Sequence, residues 1–459
     1  MGSSVALIGG GGIRTPQLIH GLAEAAEALS LDTLRLYDID SNRAAMIAAL
    51  GGEIARRMAS PLRVVTSASI EEAVSGARFV LSSIRVGGIE ARARDEAIAV
   101  RHGLAGQETT GPGGWAMALR TIPVALSQAR VVEREAPGAL FVTFTNPAGL
   151  ITQAITTHTR VRATGICDTP SELFHQIAAA LGAAPGDVEC EYLGLNHLGW
   201  VRRVLLNGVD VTGSLLGDDS KLRGLYPAPL FDPALIRQLG AIPSEYLFFY
   251  YAQRRAYRNQ LTASTTRGAE VSRLNAALLG HLEAEVARGD LGGALETYKL
   301  YLRRRSGSYM QLEGKAGSVA SSELQADDPL QAPTGYHRVA IQVMRAMHGI
   351  DSRQIVVNTA NRGAVDGFAD DDVVEAPVRF YADGARPVRM GALPEPCRGL
   401  AFAVKQYERA TIRAAVEQSA GLARMALFLN PIVGDWDLAA ALAADFGAED
   451  PALRFLGGS

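Results

Sequence analysis

Residues able to bind a metal or exchange a proton lie in two short segments of the chain. Cys167 and Asp168 precede Thr169-Pro170-Ser171-Glu172, which has the composition of a capping box at a helix start. A thiol there has a lowered pKa and could act as thiolate ligand or nucleophile, whereas Asp168 could equally be a plain helix-flanking carboxylate. Gly194-Leu195-Asn196-His197 places a histidine among apolar residues, where a hydrogen-bonded core residue is commoner than a ligand. Cys167 and His197 alone supply two protein ligands, so a metal there would need an open, catalytic site completed by substrate and water.

A second group of residues is typical of dinucleotide binding. Val5 to Ile8 is followed by four glycines, and Asp38 ends a second apolar run about one βαβ unit later. The glycines let the backbone approach a pyrophosphate, which the next helix N-terminus binds through free N–H groups. Asp38 would bond the ribose 2′-hydroxyl and repel a 2′-phosphate, which favours NAD+ over NADP+. Arg14 or Thr15 replaces the third glycine of the fingerprint, so a glycine-rich turn without a cofactor is the alternative.

Two further segments could contribute to a site. Gly106 to Gly114 contains Glu108 in a glycine-rich loop that could line a site, although a surface turn explains it about equally well. Pro243 to Tyr251 carries aromatic residues at helix-like spacing. Most of these belong to a core, and a tyrosine base among them is the minority interpretation.

Composition is that of an ordinary soluble globular protein, with 459 residues, 48% hydrophobic and 20% charged. A net charge of −3 offers no basic footprint for nucleic acid. Three scattered cysteines argue against a disulfide framework and for a reducing compartment. No apolar run reaches the roughly 20 residues of a membrane span. We therefore expect a cytoplasmic protein that binds neither nucleic acid nor membrane.

Short β-rich runs alternate with amphipathic stretches through the first part of the chain, at residues 78–84, 140–144 and 161–166 besides the two N-terminal runs. This alternation predicts an α/β, Rossmann-like, doubly wound sheet that binds ligands at the carboxyl ends of its strands. From about residue 189, longer helical segments such as 273–286 and 407–427 predict an α+β part. We expect an NAD-binding domain over residues 1–190 and a substrate, metal and oligomerisation domain over 191–459.

Several motifs follow one another in a fixed order, and none of them is decisive alone. They are Gly9 to Leu18, Ile84 to Gly88 with Ala91-Arg92 and Asp95-Glu96, Gly106 to Gly114 with Ala118-Leu119-Arg120, Phe144 to Ala148, Cys167 with Pro170, Gly194 to His197, Tyr246-Leu247 with Tyr250-Tyr251, Arg267 to Val271, Asn358 with Asn361-Arg362-Gly363, and Tyr407-Glu408. As an ordered set they closely resemble glycoside hydrolase family 4, in particular its 6-phospho-β-glucosidase branch. The likeness extends almost to the C-terminus.

The resemblance implies an unusual glycosidase with a fold of the lactate/malate dehydrogenase type. It implies that NAD+ takes hydride from C3 of the sugar, that a divalent metal, usually manganese, polarises the C2 and C3 oxygens, and that a tyrosine removes the C2 proton. The glycosidic oxygen then leaves C1, water adds and hydride returns, with no net redox change. It also implies a phosphorylated glucoside as substrate and a homodimer or homotetramer.

The resemblance assigns roles to particular residues. Cys167 and His197 would be metal ligands, Tyr246 the base, and Asp168 the proton donor to the leaving group. NAD+ would be held by Gly9, Gly10, Gly11, Gly12, Asp38 and Arg43. Sugar or metal-supporting contacts would come from Glu108 and Asn146, and phosphate contacts from Arg92 and Arg267, whose guanidinium forks suit a phosphate.

Departures from the family pattern leave alternatives open. Asp168 stands where the β-type enzymes usually have asparagine and is the form found in the α-type, so a 6-phospho-α-glucosidase or a variant acting on unphosphorylated glycosides is an alternative. Arg14 replaces a small or aromatic residue, and Arg305 to Tyr309 matches the family's glycine-rich turn only loosely. A lactate/malate-type dehydrogenase and a non-enzymatic NAD sensor are the other functions that the N-terminal half alone would permit.

Overall fold

The computed structural model describes residues 3–308, 312, 326–382 and 384–457. Its strands are β1 Ser3–Ile8, β2 Leu31–Tyr37, β3 Arg63–Thr66, β4 Phe79–Ser82, β5 Leu140–Thr143, β6 Arg162–Gly165, β7 Val188–Leu195, β8 Leu198–Leu206, β9 Val209–Asp210, β10 Ile242–Pro243, β11 Ile355–Ala360, β12 Val373–Tyr381 and β13 Gly384–Pro387. Its α-helices are α1 Thr15–Ala25, α2 Ser41–Arg57, α3 Ile70–Val74, α4 Gly88–Arg101, α5 Gly111–Glu135, α6 Ala148–His158, α7 Thr169–Leu181, α8 Thr212–Leu216, α9 Asp219–Arg223, α10 Pro233–Leu239, α11 Phe248–Tyr251, α12 Gln253–Ala263, α13 Arg267–Ala287, α14 Leu291–Gly307, α15 Tyr336–Met347, α16 Glu395–Glu417, α17 Ala420–Leu429 and α18 Trp436–Glu449. No helix of the described residues is both long and apolar enough to cross a bilayer.

The first strands form the parallel half of the sheet, in the order β3-β2-β1-β4-β5-β6. This is the strand order of a doubly wound dinucleotide-binding sheet, so the predicted Rossmann-like fold is confirmed. Alternate residues of a strand face opposite sides, which explains why Val5 and Leu7 belong to one hydrophobic cluster and Ala6 and Ile8 to another. Burial on both faces is what a parallel sheet covered by helices requires.

The sheet continues without a break into an antiparallel half, β11-β12-β7-β8-β10, with β13 beside β12 and β9 beside β8. β11 joins β6 through the pair Asn358 and Gly165, and β12 joins β7 through the pair Glu375 and Gly194. Together with the long helices of the second half, these strands confirm the predicted α+β part. The division at residue 190, which lies within β7, stays a prediction.

Some local predictions are wrong. α7 begins at Thr169 with Asp168 as the N-cap residue, so Thr169 is no cap, and its hydroxyl donates to Glu245 instead (3.1 Å). The loop predicted over 106–114 ends at Thr110, because the last glycines already belong to α5. The segment 407–427 contains parts of two helices, separated where Gln418 has a positive φ of 51° and Ser419 caps the next helix. Tyr309 lies outside the described residues.

Candidate active site

Two of the predicted site residues, Cys167 and His197, lie close together just after the ends of strands β6 and β7. Cys167 follows β6, and His197 lies with Asn196 in the two-residue loop between β7 and β8. The loop is tight, and His197 takes a left-handed φ of 58°. Cys167 Sγ lies 3.3 Å from His197 Nε2, and the two residues are 2% and 3% exposed. The fold therefore brings the two predicted metal ligands together.

The ring of His197 is oriented by a hydrogen-bond relay from the loop before α5. The Thr109 hydroxyl donates to Gln107 Oε1 (2.8 Å) and lies 2.9 Å from His197 Nδ1. Because that hydroxyl's proton is already used, Nδ1–H donates to the Thr109 oxygen and Nε2 presents its lone pair beside Cys167. Burial lowers the pKa of His197 to about 4 against the opposing charge of Glu108, so the ring is neutral at pH 7, as a ligand must be.

The thiol of Cys167 does not have the lowered pKa that its place before a helix predicted. Burial raises its pKa well above the usual value, and the carboxylates of Glu375 and Asp168 add to the rise. Hydrogen bonds from Thr169 oppose this without overcoming it. The prediction is wrong because desolvation outweighs the helix N-terminus. A bound divalent cation would supply the missing stabilisation, since a coordinating thiol is deprotonated outright.

Tyr246 and Asp168 adjoin this pair. The Tyr246 ring stacks on the His197 imidazole with centroids 3.8 Å apart and an angle of 11° between the planes. Asp168 occupies the N-cap position of α7, yet its side chain makes no capping bond. Instead both residues line one cavity of about 150 Å³. Asp168 thus flanks the helix without capping it through its side chain, and its catalytic role stays a prediction.

The same cavity is also lined by Glu108, Arg92 and Arg267, three of the residues predicted to bind substrate. The lining includes further residues to which the sequence analysis gave no role, among them Glu245, Thr334, Tyr336 and Arg305. A larger cavity of about 580 Å³ lies behind Phe249, which lines both. Its described lining has no carboxylate, whereas Asp168, Glu108 and Glu245 line the smaller cavity, so the smaller cavity is the candidate active site.

Glu108 holds two arginines at the cavity. Its Oε2 lies 2.6 Å from Arg85 Nη2 and 2.9 Å from Arg92 Nη1, and Glu96 binds Arg92 Nε at 2.8 Å. Burial alone would raise the pKa of Glu108, but Arg92 and Arg85 outweigh it and lower the pKa to about 2. Arg92 is thus shared between two carboxylates, which leaves it less positive charge for an external anion.

Arg267 and Arg305 both line the cavity, but they differ in their hydrogen bonds and ion pairs. Arg267 donates to Glu270 (2.8 Å), to the Ser308 hydroxyl (2.5 Å) and to the backbone oxygen of Arg305 (2.9 Å). The Arg305 guanidinium donates to Tyr301 OH (3.3 Å) and forms no ion pair with a carboxylate of the described residues, although its charge helps to lower the pKa of Glu108. Arg305 belongs to the loosely matching turn, which is why the sequence analysis did not select it.

Asn146 is not among the residues that line the cavity. It precedes Pro147 across a cis peptide bond at the start of α6, and the N–H of Ala148 donates to Asn196 Oδ1 (3.2 Å). Its turn is thereby linked to the loop that carries His197. A direct contact from Asn146 to substrate stays a prediction.

The glycine turn after β1 fits a dinucleotide. Gly9 has a φ of 87°, and a Cβ there would lie 2.3 Å from the backbone oxygen of Ser83, so no side chain is tolerated. The N–H of Gly11 donates to Asp38 Oδ2 (2.9 Å), which places the carboxylate beside the turn, as ribose recognition requires. Arg43 Nη2 lies 4.0 Å from Asp38 Oδ1 at the edge of this turn.

The metal ligands also fit the role implied for them. Among the described residues no group of three or more His, Cys, Asp or Glu side chains could hold a metal. Cys167 and His197 stay the predicted ligands, and two protein ligands would leave coordination positions for substrate and water.

Fold and site together define a Rossmann-like α/β protein whose candidate site adjoins the carboxyl end of β6 and the loop between β7 and β8. Residues 4–183 match the model for family 4 glycosyl hydrolases, and residues 192–433 match the model for the C-terminal domain of that family. The chain belongs to glycoside hydrolase family 4, so the resemblance found in the sequence is confirmed.

Curated relatives include both anomeric types. A probable 6-phospho-β-glucosidase of Bacillus subtilis is 30% identical over 94% of this chain and 92% of its own. A phospho-α-glucosidase of Clostridium acetobutylicum is 27% identical over 96% of each chain.

Solved structures agree on the fold. The Thermotoga maritima 6-phospho-β-glucosidase with manganese, NAD+ and glucose-6-phosphate has a TM-score of 0.78 at 27% identity, over 97% of both chains. A lactate dehydrogenase from Eimeria maxima has a TM-score of 0.53 at 13% identity, over 91% of this chain and 98% of its own, which confirms the dehydrogenase-like fold alone. The dehydrogenase function is not favoured, because the family models describe a hydrolase.

Proposed function

We propose that this enzyme hydrolyses 6-phosphorylated glucosides with NAD+ and a divalent cation, manganese in the first instance. The observation that carries the proposal is the stacking of Tyr246 on His197, whose Nε2 lies 3.3 Å from Cys167 Sγ, beside a cavity that Asp168 also lines. A phenol, a thiol and an imidazole in contact suit metal-assisted proton abstraction. The Thermotoga maritima relative, solved with manganese, NAD+ and glucose-6-phosphate, supports the choice of cofactors and substrate.

Each residue of this group has one task in the reaction. When bound, NAD+ accepts a hydride from C3 and returns it, while the cation polarises the C2 and C3 oxygens. Cys167 and His197 hold the cation, and Thr109 keeps His197 in the ligand tautomer. Tyr246 takes the C2 proton, Asp168 gives a proton to the glycosidic oxygen as it leaves C1, and water then adds to C1. Gly9 to Gly12, Asp38 and Arg43 hold the dinucleotide.

The substrate phosphate is proposed to bind the arginines of α13 and α14, at Arg267 and Arg305. Both line the cavity, and Arg305 forms no direct ion pair with a carboxylate of the described residues. Arg92 is bound by Glu96 and Glu108, so its role is to fix Glu108 at the sugar rather than to supply net charge to the phosphate.

The β-glucoside is the proposed anomer, with the α-glucoside as the second candidate. The higher identity to a β-type relative favours the first, whereas Asp168 favours the second. We further propose a cytoplasmic enzyme, in keeping with the three free cysteines, that forms a homodimer or homotetramer.

The test uses purified protein with NAD+, Mn2+ and a reductant. Nitrophenol release is compared for p-nitrophenyl β-glucoside 6-phosphate, its α-anomer and the two unphosphorylated forms. We expect release from the phosphorylated β-substrate without net NADH, abolished by a chelator and restored by Mn2+. Equal rates with and without the 6-phosphate would contradict the phosphate requirement, and faster release from the α-anomer would reverse the anomeric assignment. Steady NADH without nitrophenol would contradict the hydrolase itself.

A further inference from the structure

A buried carboxylate behind the metal ligands takes part in none of these steps. Glu375 lies in β12, opposite Asn358 of β11 and Gly194 of β7, and is 0% exposed. Asn358 in turn pairs with Gly165, the last residue of β6, which leads to Cys167. Glu375 therefore stands where the parallel and antiparallel halves of the sheet join, between the strands that lead to the two metal ligands.

Three donors satisfy the two oxygens of this carboxylate. Tyr192 OH donates to Oε2 at 2.7 Å, and the side-chain amides of Asn196 and Asn358 donate to Oε1 at 3.1 and 3.0 Å. A buried carboxylate is stable only when it is bonded in this way, so the bonds hold all three donors in place.

Asn196 uses both ends of its amide. Its Nδ2 donates to Glu375 and its Oδ1 accepts from the N–H of Ala148 at 3.2 Å. The orientation of the amide is fixed by chemistry, because the backbone N–H of Ala148 can only donate and therefore faces Oδ1 rather than Nδ2. Asn196 precedes His197, and Ala148 follows the Asn146–Pro147 turn. One side chain thus links the turn that carries Asn146 to the loop that carries His197.

Close packing leaves this link little freedom. A Cβ added to Gly149 would lie 3.2 Å from Asn196 Cβ, so the start of α6 approaches Asn196 as closely as a glycine permits. His197 takes its left-handed φ of 58° in a loop too short to absorb a displacement. Movement of Asn196 would consequently displace His197.

We infer that Asn196, anchored by Glu375, is a positioning residue that sets the separation of the metal ligands and their alignment with the Asn146 turn. The identity of the ligands rests on the proposed function, whereas the link between the turn and the loop does not. Outer partners that orient a ligand typically change metal affinity by about 10–100-fold when they are removed.

The experiment measures binding rather than turnover. Mn2+ dissociation constants are determined for Asn196→Ala and Asn196→Ser from the electron paramagnetic resonance of free Mn2+, with NAD+ affinity and Ala148 amide exchange alongside. We expect Mn2+ to bind roughly 10–100-fold more weakly, Ala148 to exchange faster, and NAD+ affinity to stay unchanged. Asn196→Ser serves if the alanine variant does not fold. Tyr192→Phe is the matched control, because it removes a bond to the other Glu375 oxygen.

Two results would overturn the inference. One is a folded Asn196 variant that keeps wild-type Mn2+ affinity, and the other is a Tyr192→Phe variant that weakens Mn2+ binding as much as Asn196→Ser does. Wild-type protein that binds no Mn2+ would contradict the proposed function instead. In that case the rate of Ala148 amide exchange would test the link between the turn and the loop. Faster exchange in Asn196→Ser but not in Tyr192→Phe supports the link, and equal exchange rates in the two variants overturn it.

Discussion

The candidate cavity has two walls of different construction. The sheet-end wall carries Asp168 and Tyr246, which adjoin the buried pair Cys167 and His197; that pair does not itself line the cavity. Hydrogen bonds orient the thiol and the imidazole in a dry environment. The helical wall consists of Arg92, Arg267 and Arg305, from α4, α13 and α14; Arg92 and Arg267 form ion pairs, and Arg305 forms none with a described carboxylate. Under the proposed function, the sheet-end wall would carry out the chemistry and the helical wall would bind the anion.

Removal of the Cys167 thiol should have the largest effect at the sheet-end wall. Cys167→Ser takes away one of two protein ligands, so we expect kcat/KM to fall by about a thousandfold or more, with Mn2+ binding lost. Nitrophenol release and free Mn2+ measure the two effects. Cys190→Ser is the control, because this half-buried free thiol lies within β7 opposite Val204, whereas Cys167 contacts His197. Retained activity in Cys167→Ser would remove Cys167 from the metal site.

A change confined to the helical wall should alter binding rather than chemistry. Arg305→Ala is expected to lower kcat/KM for the phosphorylated substrate by roughly 10–100-fold, through KM, because a charged hydrogen bond is lost. Hydrolysis of the unphosphorylated glucoside should not change. Arg303→Ala is the control. Arg303 lies two residues before Arg305 in α14, and its guanidinium donates to the backbone oxygen of Asp327. An equal loss on both substrates would show that the two walls are not separate in function.

Acid should destabilise the sheet-end wall through His197. Its pKa is lowered from 6.5 to about 4, so between these values the unfolded chain binds a proton that the folded chain does not. Stability of the metal-free protein should therefore fall as pH falls, by about 2 kcal/mol between pH 7 and pH 5 from this group alone. Urea unfolding in chelator, compared with His197→Asn, isolates the contribution. Identical pH dependence in both proteins would contradict it.

The Thr109 hydroxyl orients the His197 imidazole, and a mild substitution of Thr109 tests this role. Thr109→Val removes the acceptor of His197 Nδ1–H, so Mn2+ affinity should fall about 10-fold while the fold persists. Thr110→Val is the control, because its hydroxyl bonds only to Gln107 Oε1, at 3.3 Å. Unchanged affinity in Thr109→Val would mean that Cys167 and packing alone orient the ring.

The two walls also differ in how far the sequence predicted them. Strand order rules place Cys167 at the ligand edge of a parallel sheet, and a motif supplied His197, so this wall was predictable. The helical wall joins residues far apart in the chain, such as Arg92 and Arg305, through helix packing that no local pattern encodes. The ion-pair partners could not be predicted from the sequence either, since nothing in the motif around Arg92 shows that both Glu96 and Glu108 bind it.

The pKa of Cys167 was predicted wrongly for a similar reason. Position before α7 favours a lowered pKa for Cys167, but burial depends on the whole fold and raises it. The Asn196 and Glu375 contact joins residues that lie 179 positions apart, although both belong to runs whose strand character is local. Fold class followed from pattern, whereas the connections that hold the site required the structure.

Hydrolysis in D2O tests the central claim most directly, because removal of the C2 proton exchanges it with solvent, whereas direct displacement at C1 leaves it in place. Product sugar phosphate is examined by proton NMR after turnover with NAD+ and Mn2+. We predict deuterium at C2 of the product, with no turnover in the absence of NAD+. Product that retains its protium at C2 would contradict the account and would instead fit displacement between two carboxylates.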